Sequence, residues 1–152
     1  MSVKRWMVLP VVLVSLGVAR ATHDTQDSDV RAAMTETLAA WSAGDFDRLA
    51  EFYTADTRGF LFGGALLVRG FNPAALQAAY EAGFRATFTL RGPDIKVLGD
   101  VAIAVAYLDG TLTLPGGEAE AGSWRYSETR VRDGGRWKIA QYHFSKVTMP
   151  SR

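Results

Sequence analysis

"SETRVRDGGRWKIAQYHFS", Ser127 to Ser145, decides the fold. It reads as two β-strands joined by a glycine turn. It gathers an arginine, a glutamate, several aromatic rings and the one histidine beyond the N-terminal lead. Register decides which of these share a face, because a slip of one residue turns every side chain over. A three-residue loop, Asp133–Gly134–Gly135, places Gly135 in the left-handed position of a bulge. Arg130 then faces Lys138, Glu128 faces Ala140, Tyr126 faces Tyr142 and Trp124 faces Phe144, all on one side. The other side carries Arg125, Ser127, Thr129 and Val131 opposite His143, Gln141, Ile139 and Trp137. A two-residue Gly134–Gly135 loop gives the opposite partnership. The longer loop is preferred because it matches aromatic to aromatic across the strands.

Working upstream, "VAIAVAYLDGTLTL" (Val101–Leu114) has the clearest period of two. Val101, Ile103, Val105 and Tyr107 point one way and Ala102, Ala104 and Ala106 the other. "TFTL" and "IKVLG" are strand-like, with Gly92-Pro93 a bulge or bend between them. Before Ala86 the period is helical. Asn72 caps and Pro73 opens a helix whose apolar stripe is Leu76, Ala79, Tyr80 and Phe84. "FLFGGALLVRG" (Phe60–Gly70) reads as two short strands, and "TADTRG" (Thr54–Gly59) as a loop. Asp45 caps a short helix carrying Phe46, Leu49 and Tyr53. Ahead of it, Val30, Met34, Leu38 and Trp41 form a helical stripe that Gly44 ends. Helices followed by long antiparallel strands mean α+β. A sheet this long should curve around the helices and leave a cone with a mouth, where small molecules bind.

The 152 residues amount to one domain, and 48% hydrophobic content supports a sizeable core. Lys4 and Arg5 precede the apolar run "WMVLPVVLVSLGV" (Trp6–Val18), and "ARA" (Ala19–Ala21) follows it. This is the pattern of a cleaved secretory signal over residues 1–21; the alternative is an uncleaved anchor. The expected order is then a signal segment (1–21), a flexible lead (22–29) with Asp29 as helix N-cap, and a domain (30–149). The product is secreted or periplasmic and off the membrane after cleavage. Without Lys4, Arg5 and Arg20 the remaining 14 basic and 16 acidic residues leave a charge of −2, which argues against nucleic acid. The absence of cysteine removes disulfides, thiolate nucleophiles and cysteine-based metal sites. With His23 in the lead, His143 has no second histidine for a metal site, and no cofactor is expected.

Four stretches carry a family resemblance. They are "AAWSAGDFDRLAEFY" (Ala39–Tyr53), "LLVRGFNP" (Leu66–Pro73), "GPDIKVLGDVAIAVAYL" (Gly92–Leu108) and the hairpin. In order and spacing the chain resembles the SnoaL-like branch of the nuclear transport factor 2 superfamily. In motif it is closest to the association (hub) domain of calcium/calmodulin-dependent kinase. The resemblance implies a cone-shaped α+β domain, usually a homodimer or higher oligomer, with a pocket between helices and sheet. Members include ketosteroid isomerases, polyketide cyclases, dehydratases and non-catalytic binding or assembly domains. The hub pocket is cationic and takes small carboxylates. Its "ETR" arginine matches Arg130, but its other pocket arginines fall at Asp109 and Phe144, and its histidine at Ala74.

The expected function is binding of a small, partly hydrophobic carboxylate or carbonyl compound, without catalysis. Arg130 and Glu128 should lie at the polar end of a cavity lined by Tyr126, Tyr142, Phe144, Tyr107 and Trp124, with Asp109 nearby. Arg130 is always charged and, in a dry pocket, needs a partner, which Glu128 can supply. Two alternatives remain: an isomerase or cyclase drawing on Tyr126, Tyr107, Glu128 and Asp109, and an oligomerisation module. His143 is expected on the outer sheet face with Thr129, Ile139 and Gln141, a surface suited to a homodimer.

Overall fold

The computed structural model describes residues 15–61 and 66–148, with side chains from Thr25 onward. Helix α1 (Ser15–Ala43) and a short α2 (Phe46–Ala50) precede strands β1 (Tyr53–Phe60) and β2 (Val68–Arg69). Helix α3 (Pro73–Glu81) follows, then four long strands: β3 (Arg85–Leu98), β4 (Val101–Thr113), β5 (Ala119–Asp133) and β6 (Arg136–Lys146). They form one curved sheet in the order β2-β1-β6-β5-β4-β3. The fold is α+β, a cone of sheet closed by helices in the N-terminal half. All pairings are antiparallel except β1 with β6.

Local chemistry accounts for most boundaries. Asp45 accepts a hydrogen bond from Arg48 N at 3.1 Å, and Asn72 accepts one from Ala75 N at 3.0 Å; each satisfies an amide the helix start leaves free. Helix α1 buries Val30, Met34, Leu38 and Trp41. The inner face of β4 offers Ala102, Ala104 and Ala106, and these small residues leave the cone's interior to larger side chains. Outward lie Val101, Ile103, Val105 and Tyr107, which are 37–48% exposed. The expected bulge at Gly92-Pro93 is present as a register shift between Arg91 and Asp94.

Three expectations need correction. The segment Thr22–Asp29 is helical rather than a lead, and Asp29 lies inside α1 rather than capping it. No glycine or proline interrupts residues 18–43, and Asp27 pairs with Arg31 one turn on. Of the expected signal segment, residues 1–14 lie outside the described residues. Second, "TADTRG" is strand, not loop. Its loop-like composition is overridden by pairing on both sides, to β2 and to β6.

The third correction concerns the hairpin. Asp133 pairs with Arg136 across a two-residue Gly134-Gly135 turn. Both glycines have positive φ (58° and 80°), as such a tight turn requires. Arg130 therefore faces Ile139, and Ile139 and Trp137 point into the core. Between Thr129 and Arg130 the register shifts again, so that Ala140 is the extra residue of a bulge. Beyond it Glu128 faces Tyr142, Tyr126 faces Phe144 and Ser127 faces His143. The bulge returns Tyr142 and Phe144 to the inner face and leaves His143 on the outer one.

Candidate functional site

The inner face of β5 presents Trp124, Tyr126, Glu128 and Arg130, all buried. Arg130 and Glu128 are two apart on one strand, so they emerge on the same side. Arg130 Nε donates to Glu128 Oε1 at 2.5 Å, and Nη2 donates to Oε2 at 3.1 Å. Nη1 donates to the Trp137 carbonyl at 3.1 Å, and Nη2 also to Thr37 Oγ1 at 3.0 Å. The Tyr126 hydroxyl donates to the second carboxylate oxygen of Glu128. Thr37 in turn donates to Ala33 O at 2.7 Å, which fixes its hydroxyl on α1. Four donors of the guanidinium are thus engaged by protein, and both oxygens of the only buried carboxylate among the described residues are taken.

Ionisation follows this enclosure. Burial pushes the Tyr126 hydroxyl well above its ordinary pKa, and the Glu128 charge adds to the rise. Burial works against the Arg130 charge, but the Glu128 carboxylate outweighs it and holds the guanidinium above its usual value.

The cavity lies beside this network. About 190 Å³ in volume, it opens between α1, α3, β1, β2 and the end of β6. Trp41, Tyr53, Phe71, Leu76 and Tyr142 give it an aromatic and apolar lining, and Arg69 stands exposed among its wall residues. Tyr53 stacks on Phe71 (4.3 Å between centroids) and meets Tyr142 edge-on (5.7 Å). Its hydroxyl accepts from Trp41 Nε1 at 3.3 Å. Among the described residues it donates to none. Burial raises its pKa far above the usual phenol value, so it stays protonated. The Tyr142 ring lies over Gly59, where a Cβ would come within 2.5 Å of it; only glycine leaves room for that wall.

Of the expected site residues, Tyr142 alone is in the cavity lining. Trp124, Tyr126 and Phe144 pack in the core, and Glu128 and Arg130 seal each other behind the cavity. Tyr107 and Asp109 are on the opposite face of the sheet. The alternation of β4, with alanines inward, sends both of them outward. There Arg91 lies over the Tyr107 ring and pairs with Asp109. Trp41, placed from the sequence in the apolar stripe of the first helix, and Tyr53, placed on the short second helix, are cavity residues. Recognising "TADTRG" as a strand would have pointed to Tyr53 at its start. A second hollow of about 300 Å³ lies on the outer face beside Tyr107, Arg125, Ser127 and His143. No cluster of three metal-ligating side chains occurs among the described residues, and none of their helices is long and apolar enough to cross a membrane.

Comparison with known proteins agrees with this geometry. A family model for the SnoaL-like domain matches residues 30–150. No curated protein matches the chain. Among solved structures, a candidate scytalone dehydratase from Novosphingobium aromaticivorans is similar at 13% identity, over 85% of this chain and 89% of that one, with a TM-score of 0.73. A ketosteroid isomerase-like protein from Erwinia carotovora atroseptica is similar at 18% identity, over 80% and 96%, with a TM-score of 0.66. The association domain of C. elegans CaMKII is similar at 20% identity, over 82% and 98%, with a TM-score of 0.66. At such identities the likeness speaks for the fold.

Proposed function

The chain belongs to the SnoaL-like domain family, and from that premise we propose that its cone binds one small, partly hydrophobic carbonyl compound and releases it unchanged. The observation that carries this is the Tyr53 hydroxyl, whose proton is uncommitted at the wall of an otherwise aromatic cavity. A carbonyl oxygen is the acceptor such a donor suits, and the rings of Phe71 and Tyr142 suit the ligand's apolar remainder. Binding is favoured over isomerase or cyclase chemistry because Glu128 already accepts twice from Arg130 and once from Tyr126, which engages both of its oxygens and leaves it poorly placed to take a substrate proton. A carboxylate is the second reading. It rests on Arg69, which is exposed among the wall residues and forms no ion pair with a described residue. Calorimetry with benzaldehyde as probe tests the first reading. Leu76→Trp, which fills the cavity, should abolish binding; binding that survives would place the guest elsewhere. Conversion of the probe would favour the enzyme.

Two further parts of the proposal concern context. Export with removal of residues 1–21 is compatible with the packing, since the first buried side chain among those described is Val30. Intact mass of the exported protein decides it, and a retained leader would sink it. A homodimer through the outer sheet face is supported by the exposed stripe Val101, Ile103, Val105 and Tyr107, flanked by Thr129, Gln141 and His143. Ile139, expected on that face, is fully buried on the other. Light scattering that finds only monomer at micromolar concentration would refute the dimer.

A further inference from the structure

An exposed patch sits at the end of the β1–β2 pair, beside the cavity. Arg58 and Arg69 are directly opposed across these two strands, and both are exposed. Gly70 N donates to the Thr57 carbonyl at 2.7 Å, just outside that pair. The two arginines are therefore a non-hydrogen-bonded pair, the arrangement that brings side chains closest. Gly59, one residue on, faces inward beneath the Tyr142 ring, so both arginines point outward. Like charges directly opposed destabilise a sheet. Neither guanidinium has an ion pair or a hydrogen bond among the described residues, and Asp56, two residues earlier in β1, pairs with neither. Beyond the arginines the surface is apolar. Phe60, Leu66 and Leu67 are 43%, 90% and 41% exposed. From Gly59 to Val68 the sequence, GFLFGGALLV, has no charged or hydrogen-bonding side chain.

We propose that this edge docks on an anionic lipid surface, with Phe60, Leu66 and Leu67 among the acyl chains and Arg58 and Arg69 at the headgroup phosphates. Spacing supports the two tiers. Phe60 follows Arg58, and Leu67 precedes Arg69, by two residues, roughly 6–7 Å of strand. Apolar groups of a surface-bound segment lie about 5–10 Å into the headgroup boundary, which leaves the arginines level with the phosphates. Such a surface offers each guanidinium the counter-charge that the fold withholds. A protein partner fits less well. A stable interface needs roughly 800 Å² per partner, with hydrogen bonds at its rim. Three apolar side chains beside two arginines supply neither, whereas a bilayer takes an apolar protrusion without shape complementarity. The proposal departs from the expectation of a domain off the membrane after cleavage, and it does not depend on what the cavity holds. Docking in this way brings Leu61, Val68 and Arg69 of the cavity wall to the lipid.

The test is co-sedimentation of the full chain with vesicles of phosphatidylcholine alone and of equimolar phosphatidylcholine and phosphatidylglycerol. The run Trp6–Val18 is a second apolar segment, so the decisive comparison is between variants that share it. The wild type should bind the mixed vesicles more tightly. Phe60→Ser/Leu66→Ser/Leu67→Ser should lose about tenfold or more on both. All three side chains are exposed, so its urea midpoint should match the wild type. Arg58→Gln/Arg69→Gln should lose about tenfold on the mixed vesicles and nothing on phosphatidylcholine, while Arg58→Lys/Arg69→Lys keeps the preference. The proposal is overturned by a triple variant that binds like wild type, by a preference that survives Arg58→Gln/Arg69→Gln, or by a wild type that binds neither vesicle. Self-association in lipid-free buffer that the triple variant abolishes would also overturn it and give the edge to a second copy.

Discussion

Two arginine–carboxylate pairs occupy opposite faces of the same sheet. Arg130 Nε lies 2.5 Å from Glu128, and Arg91 Nε lies 2.5 Å from Asp109. In both pairs the other arm of the guanidinium reaches the second oxygen. A neighbouring hydroxyl joins each carboxylate, Tyr126 inside and Ser123 outside. The difference is solvent. The inner side chains are 1% and 0% exposed, the outer ones 54% and 40%. Bond length therefore says little about what either pair contributes. Inside, two charges have lost their hydration, and the geometry must satisfy them completely. Outside, water and salt already do so, and the pair mainly orients two flexible side chains.

The largest expected effect follows from breaking the inner pair. Glu128→Leu leaves a buried guanidinium without its counter-charge and should cost about 3–5 kcal/mol. Urea denaturation should show a midpoint far below wild type. The double variant Glu128→Leu/Arg130→Met removes both charges and should recover more than half of that loss, since buried ion pairs are often replaceable by apolar residues of similar volume. A single variant as stable as wild type would remove the contrast between the two faces.

Next in size is an alkaline effect confined to the inner face. Burial raises the pKa of Tyr53 and Tyr126 in the folded state. A raised pKa means that the unfolded chain releases these protons first, near pH 10. Stability is then fully present below about pH 10 and falls as pH rises toward the folded values. Denaturation midpoints should drop steeply above about pH 10 in the wild type and less steeply in Tyr126→Phe. A Tyr126→Phe slope equal to that of the wild type would show that this hydroxyl is not held neutral by the fold.

The same two faces explain what was legible in the sequence. Strand alternation alone put Glu128 and Arg130 on one face and suggested their pairing; His143 was put on the other by the longer loop, and it reaches that face through the bulge instead. Alternation also separated alanines from Val101, Ile103 and Val105 in β4. Alternation cannot say which side is the inner one, so Tyr107 and Asp109 were drawn into the site and belong outside it. The hairpin turn was misjudged because aromatic matching across the strands favoured the longer loop. The actual structure keeps Tyr142 and Phe144 inside by a bulge at Ala140, which has no marker in sequence. The cavity was the least legible part. Its hydroxyl-bearing Tyr53 opens β1, a strand whose composition is that of a loop. Its pairing with β2 on one side and with the distant β6 on the other makes it a strand.

The smallest expected effect tests the comparison from the other side. The hydrogen bond from Arg91, with that from Ser123 second, holds the Asp109 carboxyl below its ordinary pKa. A lowered pKa gives stability that is present above the unfolded value, about 4, and is lost as pH falls through the folded one. Because the group faces solvent, screening should reduce that contribution to near nothing at an ionic strength of about 0.15 M. Asp109→Asn is therefore expected to leave the urea midpoint within experimental error, at neutral pH and at pH 4 alike. A second copy on the outer face would change the prediction in a recognisable way. It would exclude water from Arg91 and Asp109, and the variant would then weaken self-association, with a midpoint that depends on protein concentration. A large, concentration-independent loss would contradict both outcomes. It would mean that the outer pair carries the fold as the inner one does, and that exposure is not what separates them.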